Sequence, residues 1–190
     1  MSQSVEDPYA IPAFGLANRL ARVAWAVCYL LMFRPSPRPF FGWRRLILRV
    51  FGAKLGKGVV IYPSAKIWAP WNLVCEDMVA IATGADIYNP SPIWLGSHAI
   101  VSQDAFLCGA SHDYNDVRFP LYSKPIHVGP YAWVCARSCV MPGITLQEGA
   151  VLGLGAIATK DLASWSVYAG SPAKLVAARS VGHSTVNPEK

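Results

Sequence analysis

Aliphatic side chains recur at every sixth position through most of the chain after residue 59, and this spacing constrains the fold more than any other feature. The longest unbroken series holds five of them: Val128, Val134, Val140, Leu146 and Leu152. Earlier series keep the same spacing, with two shifts of phase by two residues. An amphipathic helix needs a period of about 3.6 and a half-buried strand a period of about two. Neither element explains a spacing of six.

A spacing of six is typical of a short strand followed by a tight corner, repeated along the chain. Small side chains stand four positions after most of the aliphatic residues, where the backbone would turn tightly. Three strands with their corners complete one coil of a triangular prism. Because inside and outside alternate with a period of two along a strand, the phase shifts of two residues keep the aliphatic side chains inside.

The repeat fails between Leu107 and Val128, where the sequence predicts a loop, residues 112–125, that projects from the prism. Loops held by a rigid scaffold often carry function. This one begins with His112, whose imidazole can take a proton near neutral pH and is a candidate general base. Three groups are candidates to orient the imidazole: Asp113, Asp116 or a backbone carbonyl.

The positive charge of the chain is concentrated in its first third. The whole chain has a net charge of +6, whereas residues 1–58 alone hold nine basic and two acidic residues. No nucleic-acid-binding motif accompanies this charge, so we expect no nucleic-acid partner. Residues 16–51 are expected either to pack on the prism as helices or to lie at an anionic membrane surface. Their longest apolar run, residues 24–33, is too short to span a bilayer.

The cysteine pattern favours free thiols in the cytoplasm. The count of five is odd, no CxxC occurs, and no signal-peptide pattern opens the chain. No Cys and His set has zinc spacing, so we expect no metal.

The repeat resembles that of the hexapeptide-repeat acyltransferases. The SHDY sequence of residues 111–114 resembles the catalytic turn of the maltose, galactoside and nodulation acetyltransferases. Residues 33–39 and 61–73 resemble the colanic acid biosynthesis acetyltransferase branch, and the likeness extends from about residue 12 to residue 179. The resemblance implies a mainly β fold: a left-handed parallel β-helix of about five coils, with N-terminal helices, one projecting loop and a short C-terminal helix. The hand comes from the resemblance, because the spacing alone does not determine it.

Three segments follow from this interpretation. Residues 1–58 form a basic, partly helical N-terminal segment, residues 59–165 form the β-helix with its loop, and residues 166–190 form a C-terminal cap and tail.

The resemblance also implies the roles of single residues. His112 corresponds to the general base, and Tyr88 and Asn89 correspond to groups that bind the acceptor. The amide of Asn89 can donate to one sugar hydroxyl and accept from another. The alternative for Asn89 is a turn residue before Pro90.

Six further residues are implied at the coenzyme A site. The turn at Ala136 would supply a backbone N–H to the oxyanion, and residues 153–161 and 170–174 resemble family elements that approach the cofactor. The alternative for Trp133 is an exposed position on a wall of the prism. The alternative for residues 170–174 is a cap that begins the C-terminal helix. The set is Trp133, Ala136, Leu154, Thr159, Lys160 and Lys174.

The resemblance therefore implies an acetyl-CoA-dependent O-acetyltransferase that acts on a sugar hydroxyl in exopolysaccharide biosynthesis. The acceptor is a saccharide, free or lipid-linked, and the enzyme is a cytoplasmic homotrimer, peripheral to the membrane if residues 16–51 bind it. Cys108, near His112, leaves a covalent route as an alternative to direct attack. Two other functions remain open: a non-catalytic β-helix scaffold, and a γ-carbonic-anhydrase-like zinc enzyme, against which the spacing of His98, His112 and His127 argues.

Overall fold

Each six-residue unit forms a short strand and a tight turn, and successive strands wind into a prism with three parallel sheets. The structure is a computed structural model and describes residues 14–180. Strands follow one another on face A, face B and face C in turn, which gives five complete coils and part of a sixth. The predicted parallel β-helix, the N-terminal helices and the projecting loop are confirmed.

The strands are numbered in chain order. Face A holds β1 Lys54–Leu55, β4 Leu73–Cys75, β7 Ile93–Leu95, β12 Ile126–Val128 and β15 Thr145–Leu146. Face B holds β2 Val60–Ile61, β5 Ala80–Ile81, β8 Ile100–Val101, β13 Trp133–Val134, β16 Val151–Leu152 and β18 Ser166–Ala169, with β19 Lys174–Ala178 beside β18. Face C holds β3 Lys66–Ile67, β6 Asp86–Tyr88, β9 Phe106–Cys108, β14 Cys139–Val140 and β17 Ile157–Ala158. The projecting loop begins two residues before the predicted range of 112–125, because it starts with the antiparallel pair β10 Ala110–His112 and β11 Leu121–Ser123.

The interior of the prism is a set of aliphatic ladders. On face B the inward residues are fully buried and stack directly on one another, namely Ile61, Ile81, Val101, Val134 and Leu152. The two phase shifts of two residues lie within β4 and β7, where both ends of each strand are buried. The small residues predicted at the corners are buried as well, among them Ala65, Ala85, Ala105 and Ala156.

The turns stack in the same way as the strands. At the edge between faces A and B, Met78, His98, Tyr131 and Trp165 all adopt left-handed backbone conformations. Each of these four donates its backbone N–H to a carbonyl of the coil before, at 2.8–2.9 Å. Gly149 occupies the same position between Tyr131 and Trp165, with a φ of 66°. A Cβ there would lie 2.5 Å from the Trp165 ring, so only glycine fits.

The N-terminal segment forms two helices that pack on the first coils. Helix α1, Leu16–Cys28, continues through a π-helical turn, Tyr29–Phe33, and α2 spans Phe41–Val50. Trp25 is buried and its indole N–H donates to the Ile67 carbonyl at 2.6 Å. The buried ring of Phe33 packs 5.7 Å from that of Trp25 and holds the far end of the helix.

The helix is longer than its apolar run. Residues 16–33 form 18 continuous helical residues, which by length and composition are enough to cross a membrane. The expectation that this segment is too short to span was therefore wrong, because it was based on residues 24–33 alone. The helix begins earlier and includes Arg19 and Arg22, which interrupt the apolar sequence without breaking the helix.

The predicted C-terminal helix is also wrong. Residues 174–178 form β19, which pairs antiparallel with β18. Gly170 and Pro172 lie in a tight turn that returns the chain beside β18. In this position β19 forms hydrogen bonds with the backbone groups at the edge of β18, which would otherwise have no partner strand. This pairing favours a hairpin over a helix. Residues 181–190 of the predicted tail lie outside the described part of the chain.

Arg44 joins α2 to the prism and is completely buried. Its guanidinium donates to the Ile61 carbonyl at 2.6 Å and to the Arg38 carbonyl at 2.6 Å. It also donates to the Ser36 hydroxyl and the Pro37 carbonyl, both at 2.9 Å. The turn before α2 and the first strand of face B are thus tied to one side chain.

We expect Arg44→Met to destabilise the fold by about 3 kcal/mol, because it removes the donor from the buried Ile61 carbonyl and from the partly buried carbonyls of Pro37 and Arg38. Chemical denaturation followed by circular dichroism measures this change. Arg34→Met is the control, since Arg34 is exposed and should change stability by less than about 0.5 kcal/mol. Equal stability of the two variants would contradict the role of Arg44.

Candidate functional site

The loop leaves the prism at the edge between faces C and A. Gly109 follows β9 and donates its N–H to the Tyr88 carbonyl at 2.7 Å. A Cβ on Gly109 would lie 2.6 Å from that oxygen, so the close passage requires glycine. The chain then forms the ribbon of β10 and β11, in which His112 pairs with Leu121. His112 is therefore carried outward, to the exposed end of the ribbon.

The imidazole of His112 is oriented by a backbone carbonyl. Its Nδ1 lies 2.5 Å from the carbonyl oxygen of Phe119. A carbonyl can only accept, so Nδ1 carries the hydrogen and Nε2 keeps a free lone pair. Phe119 has a φ of 46°, a left-handed conformation that is uncommon for a bulky residue. A hydrogen bond from its N–H to the Asp116 carbonyl, at 2.9 Å, closes this turn.

Neither predicted carboxylate orients the histidine. The Asp113 carboxylate accepts the backbone N–H of Asn115 at 2.9 Å. Asp116 pairs with Arg118 through contacts of 2.7 and 3.0 Å, and these hydrogen bonds lower the pKa of Asp116 to about 2. Both side chains thus stabilise turns of the loop. Of the three groups left open by the sequence, the structure selects the backbone carbonyl.

Asn89 is a structural residue in this chain, which corrects its assignment to the acceptor site. Its side chain is completely buried. The amide oxygen accepts the N–H of Ala69 at 2.9 Å, and the amide nitrogen donates to the carbonyl of the same residue at 2.8 Å. These bonds tie the turns of two neighbouring coils together and leave the amide out of reach of a ligand.

Tyr88 lies in a cleft between α1 and face C that the sequence analysis did not identify. The cleft has a volume of about 490 Å³. The Trp68 ring packs 5.6 Å from that of Tyr88, and the Arg22 guanidinium lies 4.1 Å from the centre of the Trp68 ring. An ion pair at 3.5 Å between Lys66 and Asp86 adds polar groups to the wall.

The position of this cleft relates it to the loop. Tyr88 pairs with Cys108, the last residue of β9 before the loop begins. The alternation of inward and outward side chains along each strand could have predicted this cleft. The residues that line it are the outward neighbours of the inward residues Ile67, Ile87 and Leu107. The outward set is Lys66, Trp68, Asp86, Tyr88 and Phe106.

Three of the predicted coenzyme A residues lie near the edge between faces B and C. The half-exposed Trp133 donates its indole N–H to the Ser102 hydroxyl at 2.8 Å. Ala136 and Leu154 occupy turns of successive coils, which a hydrogen bond of 3.1 Å from Gly155 to the Ala136 carbonyl connects.

The other predicted coenzyme A residues are more widely spread. Lys174 is exposed and follows the turn that closes against Ile157, near the same B–C edge. Thr159 and Lys160 are exposed at the C–A edge, after β17. Within one chain, face C therefore separates His112 from Ala136 and Leu154.

The two other histidines within residues 14–180 do not join the site, and His183 lies outside the described part of the chain. His98 stacks on Tyr131 at 4.8 Å at the A–B edge, and His127 stacks on Trp94 at 4.4 Å on face A. Between residues 14 and 180, no group of three or more His, Cys, Asp and Glu side chains is placed to hold a metal ion.

Comparisons with known proteins identify a relative and solved structures that match most of the chain. No family model matches the chain. WcaF of Escherichia coli, a proposed colanic acid biosynthesis acetyltransferase, is 34% identical over 172 residues, which cover 90% of this chain and 94% of WcaF.

Two solved structures share the fold. A hexapeptide-repeat acetyltransferase of Vibrio cholerae, complexed with acetyl coenzyme A, superposes with a TM-score of 0.81 at 18% identity, over 90% of this chain and 93% of that one. A maltose O-acetyltransferase of Clostridium difficile gives a TM-score of 0.80 at 19% identity, over 88% and 90% of the two chains.

We expect the neutral ring of His112 to be the Nδ1–H tautomer, because Nδ1 faces a carbonyl oxygen. Long-range proton–nitrogen NMR spectra of the ring distinguish the two tautomers. Asp116→Asn should leave the tautomer unchanged, since Asp116 does not contact the ring. A neutral ring protonated on Nε2 would contradict the assignment.

Proposed function

Because the chain belongs to the hexapeptide-repeat acetyltransferases, in the branch of the colanic acid biosynthesis acetyltransferases, we propose that it transfers an acetyl group from acetyl coenzyme A to a saccharide hydroxyl. The observation that carries this proposal is the contact between His112 Nδ1 and the Phe119 carbonyl. It leaves Nε2 of an exposed imidazole free to act as a base. A sugar hydroxyl needs such a base, because its own pKa is far above neutrality.

The proposed reaction is a direct transfer. Nε2 of His112 takes the hydroxyl proton while the hydroxyl oxygen forms a bond to the thioester carbonyl carbon. The carbon–sulfur bond then breaks, and the proton passes from the imidazole to the leaving coenzyme A sulfur. The products are an acetyl ester and coenzyme A.

The turn at Ala136 is suited to stabilise the oxyanion that forms during the transfer. Arg137 donates its backbone N–H to the Gln103 carbonyl and Ser138 donates to the Cys135 carbonyl. The N–H of Ala136 has no acceptor among residues 14–180, so it is free to bind the developing negative charge.

A covalent route through Cys108 is not favoured. Burial raises the pKa of the Cys108 thiol, and its Sγ contacts the Ala110 carbonyl at 3.1 Å. The thiolate is the reactive form of cysteine, so a raised pKa makes this side chain a weak nucleophile. The thioester already supplies an activated acyl group, and direct attack is sufficient.

The cleft between α1 and face C is the proposed acceptor site. Aromatic rings such as Trp68 and Tyr88 offer flat apolar surfaces to a pyranose ring, and the charged groups of Lys66 and Asp86 offer hydrogen bonds to its hydroxyls. The loop that carries His112 begins directly after Cys108, which pairs with Tyr88 of this cleft.

A trimer would complete the site. His112 belongs to the C–A edge, whereas Ala136 and Leu154 belong to the B–C edge on the other side of face C. A threefold arrangement of prisms brings unlike edges of neighbouring chains together and closes. Exposed apolar side chains at both edges, including Leu154 and the loop residue Val117, are the kind of surface such contacts cover.

A cytoplasmic location fits this proposal. All five cysteines are free thiols, which is typical of a reducing compartment. The zinc-enzyme alternative is not favoured, because His98, His112 and His127 lie apart, at the A–B edge, in the loop and on face A. The family of acetyltransferases favours an enzyme over a non-catalytic scaffold.

We expect His112→Ala to lower kcat by at least about 100-fold while leaving acetyl-CoA binding unchanged, because only the base is lost. A thiol-release assay against a panel of sugars and lipid-linked oligosaccharides measures turnover, and calorimetry measures binding. His98→Ala, a change at the distant A–B edge, is the control and should keep full activity. A loss of less than about threefold for His112→Ala would contradict the proposal.

We expect inactive His112→Ala and Leu154→Glu variants to restore one another when they are mixed and refolded. If each site takes His112 from one chain and Leu154 from the next, random mixing gives roughly a quarter of the wild-type activity per site. Light scattering should report a trimer for both variants. Mixed trimers without activity would contradict a shared site.

A further inference from the structure

We propose that the N-terminal helices form a docking surface for an anionic lipid bilayer, on which the protein lies without spanning it. Five apolar side chains of the α1 helix and its extension point away from the prism, each more than half exposed. Their spacing of four and three residues places them on one side of the helix. This apolar stripe consists of Leu16, Leu20, Val23, Val27 and Leu30.

The second helix extends the same kind of surface. Trp43, Leu46 and Val50 follow at spacings of three and four residues and are all exposed. The Trp43 indole N–H donates to the Met32 carbonyl at 3.0 Å, which fixes α2 against the end of the first helix. An apolar groove between the helices is lined by both Met32 and Trp43 and joins the two stripes.

The charge around these stripes identifies the partner. Between residues 8 and 75 the sequence has ten basic residues and no acidic one. Exposed arginines, among them Arg19, Arg34, Arg38 and Arg49, border the apolar side chains. Within residues 14–180 the ion pairs involve other residues, so these arginines have no acidic partner there. Within the described part of the chain, the charged side chains that border this apolar surface are cations, which matches the interface of an anionic bilayer.

The packing of α1 favours lying on the bilayer over crossing it. Trp25 stands about 180° around the helix from Leu16, on the side that packs on face C. Its ring is 4% exposed and hydrogen bonded to Ile67, and Phe33 is fully buried. A spanning helix would have to leave the prism and lose these contacts. The stripe alone is available to enter the headgroup region.

The docked arrangement would also place the proposed acceptor cleft at the membrane. Arg22, Trp25 and Tyr29 line that cleft from one side of α1 and its π-helical extension, while the stripe covers another side of the same continuous helix. Lipid binding itself does not rest on the proposed function, because it requires no acetyl transfer.

Sedimentation of the full chain with vesicles tests the inference. We expect binding to vesicles that contain phosphatidylglycerol, and binding at least about tenfold weaker to vesicles of phosphatidylcholine alone or in high salt, because each arginine near an anionic surface contributes roughly a fivefold factor. The double substitution Leu20→Glu with Val27→Glu should weaken binding to anionic vesicles by at least about tenfold. The matched control is Leu175→Glu with Val176→Glu, an equally exposed apolar pair on β19 that should bind as the wild type does.

Circular dichroism and calorimetry with acetyl-CoA on every variant separate loss of lipid binding from loss of folding or of the proposed activity. Pelleting that is independent of lipid charge, or absent with both vesicle types, would overturn the inference. A change of oligomeric size in the Leu20→Glu and Val27→Glu variant, with lipid binding retained, would identify the stripe as a contact between copies of the chain and also overturn it. Bound protein that only detergent removes would indicate a spanning helix, and protein released by salt or carbonate would support docking.

Discussion

Every coil of the prism has to end where the next coil can pair with it, because the backbone groups of parallel strands find their partners only in register. Val74 pairs with Trp94, twenty residues later, and His127 pairs with Thr145, eighteen residues later. Eighteen is three units of six, and twenty includes the two additional residues of an A-face strand that is buried at both ends. The loop satisfies the same condition: His127 still pairs with Trp94, although the coil between them has 33 residues. Such a scaffold can carry a long insertion without disturbing its neighbours, and the candidate general base lies on the insertion.

The prism could be predicted from the sequence because its signal is repeated in every coil. Each inward aliphatic residue, such as Ile81 or Val134, repeats the constraint of the previous coil, so the fold does not depend on the interpretation of any one position. The ends of the chain have no such repetition. The apolar run of residues 24–33 underestimated the length of the first helix, and a family resemblance predicted a helix where β19 pairs with the edge of β18.

For the candidate site, the sequence could indicate residues by their chemistry but could not indicate contacts that depend on backbone geometry. His112 was identified by its type and by the break in the repeat. Its partner is the Phe119 carbonyl, which a left-handed turn brings to the imidazole ring. A pattern of side chains in the sequence does not predict the position of a backbone carbonyl. Asn89 shows the converse: its type suits a sugar, yet both polar atoms of its amide are bonded to Ala69. The cleft beside Tyr88 depends on α1 packing over face C, a contact between segments about forty residues apart, such as Trp25 and Ile67.

The two ends of the prism have a consequence for how these molecules assemble. A stack of parallel strands presents unpaired N–H and C=O groups at its first and last coils, and identical molecules could add to each other there without limit. In this chain α2 packs beside the first strands of faces A and B, and β19 covers the last strand of face B by pairing with it in the opposite direction. An antiparallel strand does not offer the template that a following parallel coil would need. Within residues 14–180, part of each end of the repeat is therefore covered, and this cover opposes the end-to-end growth of a fibre.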